Sequence, residues 1–477
     1  MNAVRDHLLL YLNGKPLHVC GDDAFFTLSD FLRRRQNLIG TKVVCAEGDC
    51  GSCTVMLGRV DGEKLTYGAI TSCIQSMFQL DGMHIVTVEG LTSDGGQLNA
   101  IQQSMVKCQA TQCGFCTPGF IVSLYDLMRD KKPCDTETVR RGLIGNLCRC
   151  TGYDSILRAA METDRAAISP IDRLYPSEKI LPALLQATKE PVLIDTGKRR
   201  FFKPVTLEAA TKFRKQNEGC LIISGGTDLG VVINKRLREL SVAMSTAGLA
   251  SLRGVKVEAD GLYLGASATL SELESIALSH LPELGKFLGW FGSPLIRNAG
   301  TIAGNLVTGS PIGDTIPALS VLGAEIDLAG INGTRRVHIS QFYTGYRQTV
   351  LAADELVVGV RIPFPKSNEI FKLYKVSRRL DLDISTFSAA ICMQRCGTSI
   401  EDIRIAYGGV GPMVMQMSKT ESLLRGGEAT LEQFERAGAE ARQEVTPISD
   451  VRGSAEYRRQ LAANILIKFW HEAVKGT

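Results

Sequence analysis

The chain is 477 residues long, enough for about three domains with cores of their own. Its 44% hydrophobic and 22% charged residues are ordinary for a soluble globular protein. A formal net charge of +4, with no basic stretch interleaved with aromatics, argues against nucleic acid as a partner. The polar opening and the shortness of the Leu8–Leu12 apolar run give no signal core or membrane span, so a cytosolic chain with no membrane partner is expected. Fourteen cysteines in such a compartment point to metal rather than to disulfides.

From the amino end, Leu8–Leu12 and Lys15–Val19 flank Asn13-Gly14, a pair that tolerates positive φ at both central positions of a tight hairpin. Thr27 is placed to cap a helix over Leu28–Arg35, with Asp30 in its first turn. Then comes Cys45-Ala-Glu-Gly-Asp-Cys50-Gly-Ser-Cys53, followed by an extended Thr54–Leu57 and a fourth cysteine, Cys73. C-x4-C-x2-C with a distant fourth is the plant-type spacing for a 2Fe–2S cluster. Three thiolates converging on one inorganic core need a tightly curled backbone, which Gly48 and Gly51 permit. A structural zinc site is the alternative, and its usual two close pairs fit this spacing poorly.

A second set follows: Cys113 and Cys116 as C-x2-C, then Cys148 and Cys150 as C-x-C. Thr117-Pro118 reads as a helix start with Thr117 as cap, and helices are expected to open at Thr136 and at Thr151. Both cysteine pairs thus precede helix N-termini, whose positive ends suit a net-negative cluster. Taken alone the second set leaves zinc open, since paired ligands suit a tetrahedral ion. Two four-thiolate sets in tandem make sense as a wire. The remaining Cys20, Cys108, Cys134, Cys220, Cys392 and Cys396 read as small hydrophobes.

Gln112-Cys113-Gly-Phe-Cys116-Thr-Pro-Gly, Gly145-Asn-Leu-Cys148-Arg-Cys150-Thr-Gly-Tyr and the Cys45–Cys53 loop resemble the signatures of the molybdenum hydroxylase (xanthine oxidase/dehydrogenase) family. The resemblance implies that the Cys113/Cys116/Cys148/Cys150 cluster lies nearest a molybdenum centre and the Cys45/Cys50/Cys53/Cys73 cluster nearest a flavin. It also implies that Gln112 contacts the pterin.

Residues 166–190, with two prolines early on and no sustained period, read as a linker ending in a short helix over Lys179–Thr188. Leu221–Ser224 is a short apolar strand running into Gly225-Gly226-Thr227-Asp228-Leu229 and a helix over Gly230–Leu237, an arrangement that reads either as an anion cradle or as a plain turn before a helix. A second glycine-spaced loop, Arg297 to Asn305, is soon followed by Ser310-Pro-Ile-Gly-Asp314. No G-x-G-x-x-G with a following acid is present, so a Rossmann fingerprint is missing. These loops resemble the family's FAD domain, of the vanillyl-alcohol-oxidase type. The implied FAD contacts are Ile222, Ile223, Ser224, Gly225, Gly226, Thr227, Asp228, Leu229, Phe291, Thr301, Ile302, Ala303, Gly304, Asn305, Asp314, Val357 and Lys375. From the residues alone, Phe291 and Val357 read equally as core, and Asp314 and Lys375 as surface charges.

The last stretch has strand-like Phe371–Val376, Ser385–Met393 and Ile403–Val410, then helices over Leu431–Glu444 and Ala455–Glu472. It resembles the carbon monoxide dehydrogenase flavoprotein C-terminal domain. Arg378, Arg379 and Asp381 either border a nicotinamide site or form surface ion pairs. The expected architecture is multidomain α+β: a β-grasp plant-type ferredoxin domain (1–90), a four-helix 2Fe–2S domain (91–165), the linker, a FAD-binding α+β domain (191–366) and an α+β C-terminal domain (367–477). With no molybdopterin domain in the sequence, the resemblance implies a molybdopterin-binding large subunit as partner, in a heterodimer or a larger assembly of heterodimers. Purine hydroxylation would occur there, and two clusters, FAD and NAD+ would carry the electrons away. No acid–base catalytic residue is nominated. The other readings are a related hydroxylase of an aldehyde or N-heterocycle, and a cluster-bearing scaffold or sensor without turnover.

Overall fold

The computed structural model describes residues 4–92, 96–130 and 133–475. It holds two compact units, Met1–Ala250 with Ser293–Gly300, and Ser251–Gly292 with Thr301–Thr477.

The first unit opens with a five-stranded sheet in the spatial order Lys15–Cys20, His7–Leu12, His84–Val86, Thr54–Asp61, Lys64–Thr71. Asn13 at φ 48° and Gly14 at φ 78° make the hairpin, with Leu12 paired to Lys15. Alternate residues of His7–Leu12 are buried, the period expected of a strand with one face on a core. The helix Leu28–Arg34 covers that face through Leu28, Phe31 and Leu32, and the Thr27 hydroxyl accepts from the Asp30 N–H as its cap.

Four helices follow, Ala100–Lys107, Thr117–Met128, Thr136–Gly142 and Asp154–Glu162, packed around Phe120, Leu124, Tyr125, Val139 and Ile156. Two starts differ from expectation. Cys116, not Thr117, occupies the cap of the second helix, in helical conformation and without a side-chain cap bond. The last helix opens at Asp154 rather than Thr151, because Tyr153 adopts φ 70° and delays it. Most of the expected linker is helical, Ile171–Leu174 and Ser177–Thr188. The second buries Ile180, Leu184 and Ala187 despite Pro182 inside it.

A four-stranded sheet completes the unit, ordered Val192–Asp195, Arg200–Lys203, Val242–Ser245, Leu221–Ile223. Lys203 and Asp81, both almost fully buried, are ion-paired, and Arg5 also binds Asp81 at 2.8 Å. Removing one member of such a group leaves a charge without its partner in a dry core, at a cost of about 3–5 kcal/mol.

The second unit has a five-stranded sheet, ordered Val255–Val257, Gly261–Gly265, Leu356–Pro363, Glu325–Gly330, Gly333–His338. A four-stranded sheet runs Glu369–Val376, Phe387–Cys396, Ser399–Gly408, Met415–Gln416. The helices Leu431–Glu444 and Ala455–Phe469 cover this second sheet, where Phe434, Ile465 and Phe469 join Phe387 and Tyr407 in one buried cluster. A π-helical turn, Trp470–Val474, extends the final helix. The mixed α+β, multidomain class expected from the sequence holds.

Candidate iron–sulfur and flavin sites

In the first cysteine set Cys50, Cys53 and Cys73 are buried and Cys45 is half-buried. The loop curls through three positive φ values, Ala46 at 56°, Gly48 at 84° and Gly51 at 65°. Gly51 is required by packing as well as by φ, since a Cβ there would sit 2.2 Å from the Gly145 carbonyl oxygen. The thiols form a chain of contacts: Cys45 bonds Cys50 and Cys73, and Cys73 bonds Cys53. The bond from Cys50 pulls the Cys45 thiol down, while the bond with Cys45 pushes Cys73 up. Four neighbouring thiols, three of them buried, cannot all ionise without a cationic centre to balance them, which is what a cluster supplies. The Glu47 N–H already points at Cys45 Sγ, at 3.4 Å.

The second set is more open: Cys113 and Cys150 are exposed, Cys116 and Cys148 half-buried. Its thiols meet in pairs, Cys150 with Cys113 at 3.5 Å and Cys116 with Cys148. Among the described residues no three His, Cys, Asp or Glu side chains are arranged to hold a single ion. A centre of two irons asks only for thiols in pairs. Burial pushes the Cys116 thiol up to about 12. Burial also opposes ionisation of Cys148, but the Thr151 hydroxyl at 3.1 Å and N–H at 3.4 Å outweigh it. The Tyr153 hydroxyl accepts from the Cys148 N–H at 3.0 Å, which gives that left-handed tyrosine a function for the strain it stores. All four cysteines line a cavity of about 800 Å³ with Cys50, Ser52, Val44, Phe115, Leu147 and Tyr153. The last four are large side chains left exposed. Gln112 is exposed beside Cys113.

The two sets touch. The Leu147 N–H donates to the Cys50 carbonyl at 3.0 Å, so one hydrogen bond joins a residue of the first set to the neighbour of Cys148. Asn146, which sequence pattern did not single out, clamps this contact. Its Nδ2 donates to Gly51 O at 3.3 Å and its Oδ1 accepts from Ser123 at 2.7 Å.

The flavin candidates fall in both units. In the first, Ile222 and Ile223 end a strand, Ser224 and Gly225 turn, and Gly226 at φ 74° is the cap of Thr227–Asn234. Thr227, Asp228 and Leu229 form the first turn of that helix, which starts earlier than expected because Gly226 supplies the cap. Gly225 is pressed against Ala299, where a Cβ would lie 2.0 Å from the carbonyl oxygen, so only glycine leaves its backbone free to line the turn.

In the second unit Thr301 caps Ile302–Thr308, its hydroxyl accepting from the Gly304 N–H at 3.2 Å. Ile302 and Ala303 are buried, Gly304 is exposed, and Asn305 accepts from Thr315 at 2.5 Å. Asp314 and Lys375 are not solvated charges. Their side chains are 8% and 5% exposed and paired at 2.7 Å, with Ser385 donating to Asp314 and Lys375 to the Trp290 carbonyl. Phe291 is half-buried and Val357 is buried in its strand. Arg379 pairs with Asp383 at 2.8 Å, and Arg378 and Arg379 are exposed.

Family comparisons agree with this layout. Residues 10–74 match a 2Fe-2S iron-sulfur cluster binding domain and 87–161 a second 2Fe-2S binding domain. Residues 197–365 match the FAD binding domain in molybdopterin dehydrogenase, and 372–473 the CO dehydrogenase flavoprotein C-terminal domain. The chain belongs to the molybdenum hydroxylase family and carries its iron–sulfur and FAD region.

Xanthine dehydrogenase/oxidase of Gallus gallus is 28% identical over 98% of this chain, and xanthine dehydrogenase of Emericella nidulans 29% over 98%. The chain spans 40% and 39% of those relatives. Among solved structures, carbon monoxide dehydrogenase from Hydrogenophaga pseudoflava aligns with a TM-score of 0.54 at 26% identity, over 56% of this chain and 94% of that one. Quinoline 2-oxidoreductase from Pseudomonas putida 86 aligns at 0.53 and 26%, over 57% and 96%. No helix among the described residues is long and apolar enough to cross a membrane.

Proposed function

We propose that this chain is the iron–sulfur and FAD part of a xanthine dehydrogenase, and that it takes electrons from a molybdopterin-bearing partner to NAD+. The observation that carries the reading is the Leu147–Cys50 hydrogen bond, which joins two complete four-cysteine sets at their backbones. Cys45, Cys50, Cys53 and Cys73 hold one 2Fe–2S cluster, and Cys113, Cys116, Cys148 and Cys150 the other. FAD contacts are assigned to Ile222–Leu229, Phe291, Thr301–Asn305, Asp314, Val357 and Lys375, and the pterin contact to Gln112. The cofactors, when bound, supply single-electron carriage and the change from one-electron to two-electron transfer. The residues of the chain fix their spacing, exclude water from the first set and leave the second open to a partner. Hydroxylation of hypoxanthine or xanthine consumes water and releases two electrons and two protons on that partner; reduction of NAD+ takes up both electrons and one proton.

The exposed Val44, Phe115, Leu147 and Tyr153 around the second set support docking of a molybdopterin chain there. A second reading, a hydroxylase of an N-heterocycle other than a purine, draws on the likeness to quinoline 2-oxidoreductase. Reconstituted chain should bind about four irons and one FAD, from two irons per four-thiolate set, and should oxidise NADH with an artificial acceptor. Co-expression with the molybdenum chain and turnover on xanthine against quinoline then chooses the substrate. Bound zinc in place of iron would end both readings.

A further inference from the structure

We propose that Asn234 is a positioning residue for the first cluster, and that its side-chain amide raises that cluster's reduction potential. The inference rests on the reading of Cys45, Cys50, Cys53 and Cys73 as 2Fe–2S ligands. Asn234 ends the helix Thr227–Asn234, whose other end is the glycine turn assigned to FAD. Its Nδ2 donates to the Ala46 carbonyl at 3.0 Å and to the Cys73 carbonyl at 2.8 Å. Ala46 follows the first ligand with φ 56°, and Cys73 is the distant fourth ligand. One amide therefore ties the strained start of the ligand loop to the segment that closes it.

The amide is held in register by the rest of its helix. The Gly225 carbonyl accepts from Gln75 at 3.2 Å and from Gln79 at 3.4 Å. Gly230 lies so close to the Ile74 carbonyl that a Cβ would stand 2.2 Å from its oxygen. Val231 packs on Cys53, Cys73 and Ile74. The helix is thus lashed to residues 74–79, just beyond the fourth ligand, along its length.

The sign of the effect follows from charge. Reduction adds one electron and no atoms to a buried, already negative centre. The helix turns its C-terminal, negative end toward this loop, which disfavours that electron. Lys235 also reaches the loop, but it is paired with Glu47 at 2.7 Å and brings little net charge. The two N–H bonds of Asn234 act beside the Glu47 N–H on Cys45 Sγ to offset the helix end, and donors directed at ligand-bearing backbone favour the reduced state. In the second set the contact is of another kind, the Thr151 hydroxyl bonding the Cys148 sulfur directly at 3.1 Å.

The test is a redox titration followed by electron paramagnetic resonance on full-length chain loaded with iron and FAD. The first-cluster potential should fall from wild type to Asn234→Ala and further in Asn234→Asp. Asn234→Gln should recover part of the fall, and the second-cluster potential should stay constant in all four proteins. An Asn234→Ala protein with full iron and an unshifted first-cluster potential overturns the proposal. So does loss of the first-cluster signal that Asn234→Gln fails to restore, which would make Asn234 a scaffold residue only. A wild-type chain that takes up no iron would bring down the underlying reading as well, and is recognised before any variant is compared.

Discussion

The two cysteine sets lie in one unit and share a hydrogen bond, yet their surroundings are opposite. The first keeps three of four thiols buried, is wound through three positive φ values and is lashed to a neighbouring helix. The second leaves two thiols exposed, lines a large cavity and has apolar side chains around its mouth. Solvent exposure and hydrogen bonds to sulfur set a cluster's potential, so the same ligand type placed in these two environments gives two different stations. The open set suits exchange with another protein, and the closed one suits passing electrons onward inside this chain.

The largest test breaks the contact between them. Gly51→Ala puts a Cβ 2.2 Å from Gly145 O at φ 65°, against backbone that cannot swing away. Strain and overpacking together should cost about 3–5 kcal/mol. Iron content should fall by half or more, with a lower melting temperature; wild-type iron and melting would mean that the two loops move independently.

A smaller effect probes the sheet beside the first set. His84 is fully buried, and desolvation pushes its pKa down to about 4. Its Nε2 accepts from the Gly14 N–H, so Nδ1 carries the proton toward Tyr67. Because the folded pKa lies below the unfolded value of about 6.5, the unfolded state binds the proton first as pH falls. Stability is therefore full above pH ~6.5 and is lost progressively down to about 4, by an amount on the order of 3 kcal/mol. Calorimetric melting between pH 7.5 and 4.5 should show the loss, and His84→Gln should flatten that part of the profile.

Exposure itself can be read by alkylation of the metal-free chain. Cys113 and Cys150 should react on the order of tenfold faster than Cys53 and Cys73, because access limits the buried thiols. Peptide mass spectrometry would report the order, and equal rates would erase the distinction drawn between the sets. Cys20 and Cys396 should join the fast group. Both are exposed, unlike Cys108 and Cys392, which are the buried small hydrophobes expected of all six remaining cysteines.

That mixed outcome shows what pattern can and cannot reveal. Covalent spacing was legible: the two sets, the Asn13-Gly14 hairpin and the helix Leu431–Glu444 fall where local chemistry puts them. The strand and glycine turn at 221–226 were legible too, although Gly226 starts the helix earlier than the apolar pattern suggests. Partnerships between distant segments were not. Nothing near Asp314 or Lys375 distinguishes a surface charge from a buried pair 61 residues apart. Asn146 and Asn234 look like any polar residue at a loop or helix end until their carbonyl partners are known.

The smallest predicted effect bears on whether the two sets form one electronic unit. Ser123 and Asn146 are 3% and 4% exposed, and the serine hydroxyl is the donor that holds the Asn146 amide against Gly51. Ser123→Ala removes that donor and leaves Asn146 Oδ1 buried without it, a loss of about 1–2 kcal/mol. Alanine regains about 0.5 kcal/mol within the helix Thr117–Met128, so the net cost should be about 1 kcal/mol. Both clusters should still assemble. With its clamp loosened, however, the Leu147–Cys50 hydrogen bond should fluctuate, and the magnetic splitting between the two reduced clusters should shrink while each keeps its own g values. An unchanged splitting at the same loss of stability would show that the glycine-to-glycine approach of Gly51 and Gly145 is enough to hold the two stations together, and that the asparagine clamp serves the fold alone.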